Sequence, residues 1–143
     1  MKYRRLGKNG PEVSEVGLGC WQLGADWGDP VSDELGLSIL REAVARGVTL
    51  FDTADVYGQG KSESLIGTFL KSEKKPLKVI TKFGRGNGVY PNNYSKKTLF
   101  DSVEKSIERL GVESLDLIQL HCIPQEVLVD GAIFSWLTDL KHQ

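Results

Sequence analysis

Four short apolar runs alternate along this chain with longer segments in which apolar residues recur every three or four positions. Short runs rich in Val, Leu and Ile are typical of strands buried on both faces, whereas the wider spacing is typical of helices with one buried face. We therefore predict strands within residues 15–20, 48–51, 77–83 and 115–120. Regular alternation of such strands and helices indicates a parallel sheet with helical crossovers.

Serines and glycines mark where the predicted helices begin and end. Ser32, Ser62 and Ser95 are predicted N-caps, because a serine hydroxyl accepts a hydrogen bond from the first helical turn. Gly47 and Gly111 are predicted to end the first and third helices. The apolar residues expected on the buried faces of the four helices are Leu35, Ile39, Leu40, Ala43 and Val44; Leu65, Ile66, Phe69 and Leu70; Leu99, Val103, Ile107 and Leu110; and Ile133, Trp136, Leu137 and Leu140.

The chain is predicted to be one α/β domain with a hairpin at its start. Residues 2–14 predict the hairpin, because the turn-forming cluster Gly7–Pro11 separates two short strand-like segments. Residues 15–143 then hold four strand–helix units, with strand starts about thirty residues apart, a spacing that suits both a (β/α) barrel and an open doubly wound sheet. Loops are expected at 21–30 and 84–94.

Composition narrows the functional classes. The 143 residues are 40% apolar and 26% charged with a net charge of −1, which argues against a nucleic-acid-binding or polybasic membrane surface. No apolar run reaches the roughly 18 residues that a membrane span needs. Cys20 and Cys122 are too few for a disulfide framework and lack metal-ligand spacing, so we expect no metal site and a cytoplasmic location.

Four polar residues follow the predicted strands at their carboxyl ends. Asp52 follows the second strand, Tyr57 lies in the loop beyond it, Lys82 ends the third strand and His121 follows the fourth. In a parallel barrel these ends meet on the catalytic face. Each residue taken alone has a structural explanation: a loop carboxylate, a packing aromatic, a solvated lysine and a hydrogen-bonded histidine. Their joint placement favours one shared site.

The four residue types together suit proton-assisted carbonyl reduction. Tyr57 is the candidate general acid that protonates a carbonyl oxygen as it becomes an alkoxide. An adjacent ammonium, Lys82, would make the phenol a better donor by stabilising the phenolate, and Asp52 would supply the counter-charge for the ammonium. Neutral His121 would donate a hydrogen bond that orients the carbonyl. The hydride must come from another molecule.

Several motifs resemble the aldo-keto reductases. The matching segments are Phe51–Gly58, Gly60–Glu63 with Ile66–Gly67, Val79–Phe83 and Leu117–Cys122, and the opening Tyr3–Gly7 and Val16–Trp21 are also similar to the start of that family. The resemblance covers essentially the whole chain. It implies a (β/α)8 barrel of the TIM type whose base the N-terminal hairpin closes.

The resemblance also implies a function and its residues. It implies NADPH-dependent reduction of an aldehyde or ketone, with Tyr57 as the acid and Asp52, Lys82 and His121 as the other members of a catalytic tetrad. Trp21 lies where the family places residues near the nicotinamide, so Trp21 and Asp52 are the expected cofactor contacts. The segment 84–88 does not match the dinucleotide fingerprint G-x-G-x-x-G. The expected partner is a small carbonyl substrate.

The length departs from the family's pattern. A complete barrel takes about 250 residues or more, so we expect residues 1–143 to be the N-terminal half of the barrel, a truncated form with little activity alone. Most of the family's cofactor contacts would lie in the other half. Alternatively, exposed strand edges would pair two or more copies, giving a non-catalytic half-barrel or a regulatory subunit that self-associates.

Overall fold

The computed structural model describes residues 1–24, 31–86 and 88–142. Its elements follow one another as strand, helix and loop in the order that the sequence predicts. They are β1 (Tyr3–Arg5), β2 (Glu12–Ser14), β3 (Leu18–Gly19), a short 3-10 turn (Trp21–Gly24), α1 (Asp33–Ala45), β4 (Leu50–Asp52), α2 (Lys61–Leu70), β5 (Lys78–Phe83), α3 (Lys96–Leu110), β6 (Leu117–Leu120), α4 (Gln125–Asp130) and α5 (Ala132–Lys141).

The central sheet has four parallel strands in the order β3-β4-β5-β6. Each strand pairs with the next one along the chain, as in the wall of a (β/α) barrel. An open doubly wound sheet instead reverses its strand order at a switch point. Strands β1 and β2 form a separate antiparallel hairpin, with Arg4 opposite Val13. The spacing of the strands in the sequence was compatible with both a barrel and a doubly wound sheet. The observed strand order favours the barrel.

Helices pack on one face of the sheet over two apolar clusters. The first lies between α1, α2 and the first strands and includes Leu40, Phe51 and Ile66, none of them accessible to solvent. The second joins β5, α3 and α5 through Phe83 and Ile133. Burial of these side chains stabilises the layered arrangement, at about 1.5–3 kcal/mol for each large apolar side chain.

Most predicted helix boundaries are confirmed. The Ser32 hydroxyl accepts a hydrogen bond from the backbone N–H of Leu35 at 3.2 Å, and Ser95 forms a reciprocal capping box with Thr98. Gly111 ends α3 with φ of 65°, a left-handed conformation that glycine adopts without a Cβ clash. The predicted loop at 21–30 is described only to Gly24, so residues 25–30 lie outside the described residues, as does Asn87 in the loop at 84–94.

The prediction that Ser62 is the N-cap of α2 is wrong. Helix α2 begins one residue earlier, at Lys61, after the left-handed Gly60. Ser62 therefore lies inside the first turn, where its buried hydroxyl donates to the carbonyl of Cys20 and shares a hydrogen bond with Thr53, both at 2.8 Å. The serine joins α2 to the ends of β3 and β4 instead of capping the helix.

Two other expectations need correction. Leu35 does not lie on the buried face of α1, since its side chain is 52% exposed. The buried residue in this turn of α1 is Gly36. It lies so close to α2 that a Cβ at this position would be 2.4 Å from the Leu65 side chain. In addition, residues 125–130 form a separate short helix, α4, which was not predicted because its three apolar residues are consecutive and give no helical period.

Neither cysteine is paired in the described part of the chain, and Cys20 is fully buried. Burial, with the carboxylate of Asp52 as a second cause, raises the pKa of the Cys20 thiol to about 12. The thiol therefore packs as a small apolar group. No helix among the described residues is both long and apolar enough to cross a membrane.

Candidate active site

Two neighbouring parallel strands bring Asp52 and Lys82 together. Phe51 and Phe83 face the helices, and because side chains alternate along a strand, Asp52 and Lys82 face the opposite side of the sheet. The Lys82 ammonium forms an ion pair with an oxygen of Asp52. The lysine side chain is only 12% exposed and the aspartate 41%, so the pair lies at the border between the sheet and solvent.

The Lys82 ammonium has two further hydrogen-bond acceptors. It donates to the backbone carbonyl of Thr53 at 2.7 Å and to the phenolic oxygen of Tyr57 at 3.3 Å. Together with Asp52, these partners engage all three of its N–H groups. The same nitrogen lies 5.0 Å from the centre of the Tyr57 ring, a distance at which a cation also interacts with the ring. Lys82 therefore fixes the position of the phenol.

Two glycines hold the loop that carries Tyr57. Gly58 has φ of 61°, and a Cβ there would lie 2.2 Å from the carbonyl oxygen of Gly24. A Cβ on Gly24 would in turn lie 2.5 Å from the Gly58 nitrogen. The loop after β3 and the loop after β4 thus touch backbone to backbone. The turn is closed by the Tyr57 N–H, which donates to Ala54 O at 3.1 Å.

His121 follows β6, two strands from the one that precedes Tyr57, and faces the tyrosine. Its backbone N–H donates to the Phe83 carbonyl at 2.8 Å, and its ring meets the Tyr57 ring edge-on at a centroid distance of 6.1 Å. Burial lowers the pKa of His121 from 6.5, and the cations Lys82 and Arg85 lower it further against the opposing charge of Asp52. The imidazole is therefore neutral at neutral pH. Its Nδ1 is buried without a hydrogen-bond partner among the described residues.

Trp21 borders the same group of side chains. Its ring lies 6.4 Å from the Tyr57 ring, tilted by 41°, and the side chain is 43% exposed. The five residues that the sequence predicted for the site are thus close together at one edge of the sheet. An exposed aromatic plane and a carboxylate beside the phenol suit a planar polar ring such as nicotinamide.

Asp55 is a member of this region that the sequence analysis missed. Its pKa is raised from 3.8 to about 6, first by burial and then by the charge of Glu63, while Arg109 opposes the change. One carboxylate oxygen is buried with no hydrogen-bond partner in the described parts of the chain, and the other lies 3.4 Å from the Ser102 hydroxyl. The sequence feature that could have identified Asp55 is its position two residues before Tyr57, in a turn that also contains Ala54 and Val56.

Glu63 has a structural role next to the site. It is fully buried, and it accepts hydrogen bonds from the Thr81 hydroxyl and, at 2.6 Å, from the Arg109 guanidinium. These contacts join α2 to β5 and α3. Because the buried carboxylate has a charged partner and a hydroxyl partner, its burial is compensated.

The arrangement suits proton transfer to a carbonyl oxygen. A phenol that contacts an ammonium can give up a proton, and a neutral imidazole beside it can donate a hydrogen bond. Among residues 1–24, 31–86 and 88–142, no group of three or more His, Cys, Asp or Glu side chains is placed to hold a metal ion.

Comparison with known proteins gives a consistent set of relatives. The model of the aldo/keto reductase family matches residues 15–143. Probable aldo-keto reductase 1 of Glycine max is 34% identical over 133 residues, which is 90% of this chain and 38% of that protein. The uncharacterized oxidoreductase YqkF of Bacillus subtilis (strain 168) is 35% identical over 147 aligned positions, covering 100% of this chain and 46% of that protein.

Solved structures agree with these matches. The holo form of aldo-keto reductase AKR11C1 from Bacillus halodurans superposes with a TM-score of 0.82 at 32% identity, over 99% of this chain and 47% of that one. The glycerol dehydrogenase AKR11B4 from Gluconobacter oxydans gives a TM-score of 0.80 at 31% identity, over 98% and 44%. The chain therefore spans about half the length of the relatives that it matches.

Proposed function

This chain belongs to the aldo/keto reductase family, and from that premise we propose that it takes part in the NADPH-dependent reduction of an aldehyde or ketone, with Tyr57 as the general acid. The observation that carries the proposal is the contact of one ammonium, Lys82, with both the Tyr57 phenol and the Asp52 carboxylate.

The proposed proton transfer uses these three side chains. NADPH, when bound, supplies the hydride. Negative charge then develops on the carbonyl oxygen, and the Tyr57 hydroxyl transfers its proton there. The Lys82 ammonium stabilises the phenolate that remains, and Asp52 balances the ammonium in a largely buried position. Because these partners are in place before the reaction, little reorganisation is needed.

His121 positions the carbonyl in this proposal. A neutral imidazole can donate one N–H to the substrate oxygen without competing for the proton that Tyr57 transfers. The lowered pKa of His121 supports this role, because burial and the nearby cations disfavour a charged ring. Its edge-on contact with the Tyr57 ring brings both donors to one place.

Trp21 and Asp52 are the residues of this chain that we expect to contact the nicotinamide. The exposed part of the Trp21 ring offers an apolar plane next to Tyr57, and Asp52 offers a partly exposed carboxylate. This fit supports a nicotinamide cofactor and leaves the choice of NADPH as part of the proposal.

The test is NADPH oxidation, followed at 340 nm with 4-nitrobenzaldehyde, in a full-length parent protein that carries this chain together with the other half of the barrel. We expect Tyr57→Phe to lower kcat by about 10²- to 10⁴-fold, the usual loss for a general acid. Tyr90→Phe is the matched control, since Tyr90 is an exposed tyrosine of the loop at 84–94. Equal rates for Tyr57→Phe and the parent protein would refute the acid assignment. NADPH binding, measured by fluorescence, shows separately whether cofactor and protein associate.

A second candidate function is self-association without catalysis. Within the described chain, β3 and β6 end the sheet with no further strand paired to them, and Val129 and Phe134 are 77% and 50% exposed on α4 and α5. Unpaired edges and apolar patches are typical of association surfaces. Mass measured by light scattering tests this candidate: a monomer at high concentration would exclude it.

A further inference from the structure

A groove of about 840 Å³ connects the proposed site with helix α3. Its walls include Trp21 and Tyr57 of the proposed site, Arg85 of the following loop, and Ser102 and Lys105 of α3. The groove has the size of a small-molecule pocket, for which about 300–1,000 Å³ is usual. A substrate whose carbonyl lies at Tyr57 would therefore have room for a further group.

The charges that line this groove do not cancel. Arg109 is paired with the buried Glu63, and Asp101 is paired with Lys97 at 2.6 Å, so these side chains are already compensated. In the described chain, Arg85 and Lys105 have no ion-pair partner, although both line the groove.

The remaining acid of the groove is Asp55. It opposes the two unpaired cations, Arg85 and Lys105, so the uncompensated groups sum to a charge of about 2 − 1 = +1 when its carboxyl is ionised. Burial, the first cause of its raised pKa of about 6, further disfavours that ionised form. The groove therefore favours an anion.

Of the two unpaired cations of the groove, Arg85 is the one linked to the proposed site. It follows β5 by two residues and is close enough to His121 for its guanidinium to lower the pKa of that imidazole. Arg85 also lines the groove together with Trp21 and Tyr57. A planar guanidinium with several N–H donors matches carboxylate and phosphate oxygens in pairs.

We propose that the substrate carries an anionic group, a carboxylate or a phosphate ester, which Arg85 binds in this groove while the carbonyl lies at Tyr57 and His121. The inference rests on the proposed function, since it names the substrate class of the same site. Lys105 on α3 adds a second positive charge to the lining of the groove. The substrates are then oxo acids or phosphorylated aldehydes instead of neutral carbonyl compounds.

The first test measures binding without catalysis. ¹⁵N-labelled protein is titrated with terephthalate, with phenyl phosphate and with the neutral diamide terephthalamide at pH 8, where His121 is neutral. We expect both anions, and not the diamide, to shift the Trp21 indole and Gly86 amide signals. Arg85→Gln should weaken anion binding about tenfold or more, as expected for loss of a charge-assisted hydrogen bond. Arg41→Gln, which changes an exposed arginine of α1 outside the groove, should not.

The outcomes separate cleanly. Binding of one anion and not the other assigns the group as carboxylate or phosphate. Equal affinity of the parent and Arg85→Gln for both anions, equal binding of the diamide, or no shift at Trp21 and Gly86 with any ligand would overturn the inference.

A second test uses turnover ratios. The ratio of kcat/KM for 4-carboxybenzaldehyde to that for its neutral methyl ester should fall about tenfold in Arg85→Gln and stay constant in Arg41→Gln. An unchanged ratio in Arg85→Gln would overturn the inference while leaving the proposed function intact. Loss of activity in Tyr57→Phe with either aldehyde tests the proposed function alone.

Discussion

The ammonium nitrogen of Lys82 lies 3.3 Å from the phenolic oxygen of Tyr57 and donates a hydrogen bond to it. The two residues are 25 positions apart and come from different strand–helix units. Parallel pairing of β4 with β5 brings them to one edge of the sheet, and the Gly24–Gly58 contact fixes the loop on which the tyrosine lies. The phenol is thus placed by backbone geometry as well as by its partner.

Lys82→Met should remove the support of the phenolate while keeping the length of the side chain. We expect kcat for carbonyl reduction to fall by about 10²-fold or more, because the charge that develops on Tyr57 loses its neighbouring cation. The measurement is steady-state NADPH oxidation, with the exposed Lys8→Met as the control. Full activity in Lys82→Met would contradict the role given to the ammonium.

The titration of His121 gives a second prediction. Its pKa, followed by NMR of the ring C–H signals, should lie below 6.5 in the parent protein. Lys82→Met should raise that pKa, since the ammonium is the second cause of the lowering after burial. Arg41→Gln should leave the pKa of His121 unchanged. A value at or above 6.5 in the parent would show that the ring is not buried beside cations.

Replacing Asp55 with asparagine should raise the free energy of unfolding by an amount that depends on pH. A pKa raised from 3.8 to about 6 means that the folded state binds the proton more tightly than the unfolded chain. The free energy of unfolding therefore falls as the pH rises from about 3.8 to about 6. Above that range the full cost of burying the ionised carboxylate is present. Asp55→Asn cannot ionise, so relative to the parent it should gain up to roughly 3 kcal/mol above pH 6 and little at pH 4.

Urea unfolding at several pH values measures this gain. Glu113→Gln removes an exposed carboxylate elsewhere on the surface and serves as the control for the loss of one negative charge. A constant difference between Asp55→Asn and the parent from pH 4 to pH 8 would show that the carboxyl is not destabilised by burial.

Gly58→Ala should disrupt the loop contact beside Tyr57. The new Cβ would meet the Gly24 carbonyl oxygen at 2.2 Å, and the positive φ adds about 1–2 kcal/mol for a residue other than glycine. Gly7→Ala shares the positive φ, at 72°, but has no atom within 4 Å of its Cβ position. We expect a clearly larger loss of unfolding free energy for Gly58→Ala. Equal losses in urea unfolding would mean that the contact is easily relaxed.

The sequence predicted those features that follow from a strict period. Alternation along a strand sends Phe51 and Phe83 to the helices and Asp52 and Lys82 to the opposite side, so the ion pair could be foreseen from residue spacing. Parallel strands that follow one another then bring His121 to the same edge.

Features that depend on one contact between distant segments were not predictable. Ser62 resembles an N-cap in sequence, but the conformation of Gly60 starts the helix earlier and buries the hydroxyl. The burial of Asp55 depends on Ser102 and on other α3 residues some fifty positions further along the chain. Such contacts leave no periodic signal.

The three acceptors around Lys82 have a chemical consequence if, as proposed, the substrate is an aldehyde. A free amine condenses with an aldehyde to form an imine, which would block the site. Here Asp52, the Thr53 carbonyl and the Tyr57 hydroxyl each hold one N–H of the ammonium, so its nitrogen offers no lone pair for that attack. Under the proposed function, the geometry that supports the phenol would also keep the lysine from condensing with an aldehyde substrate.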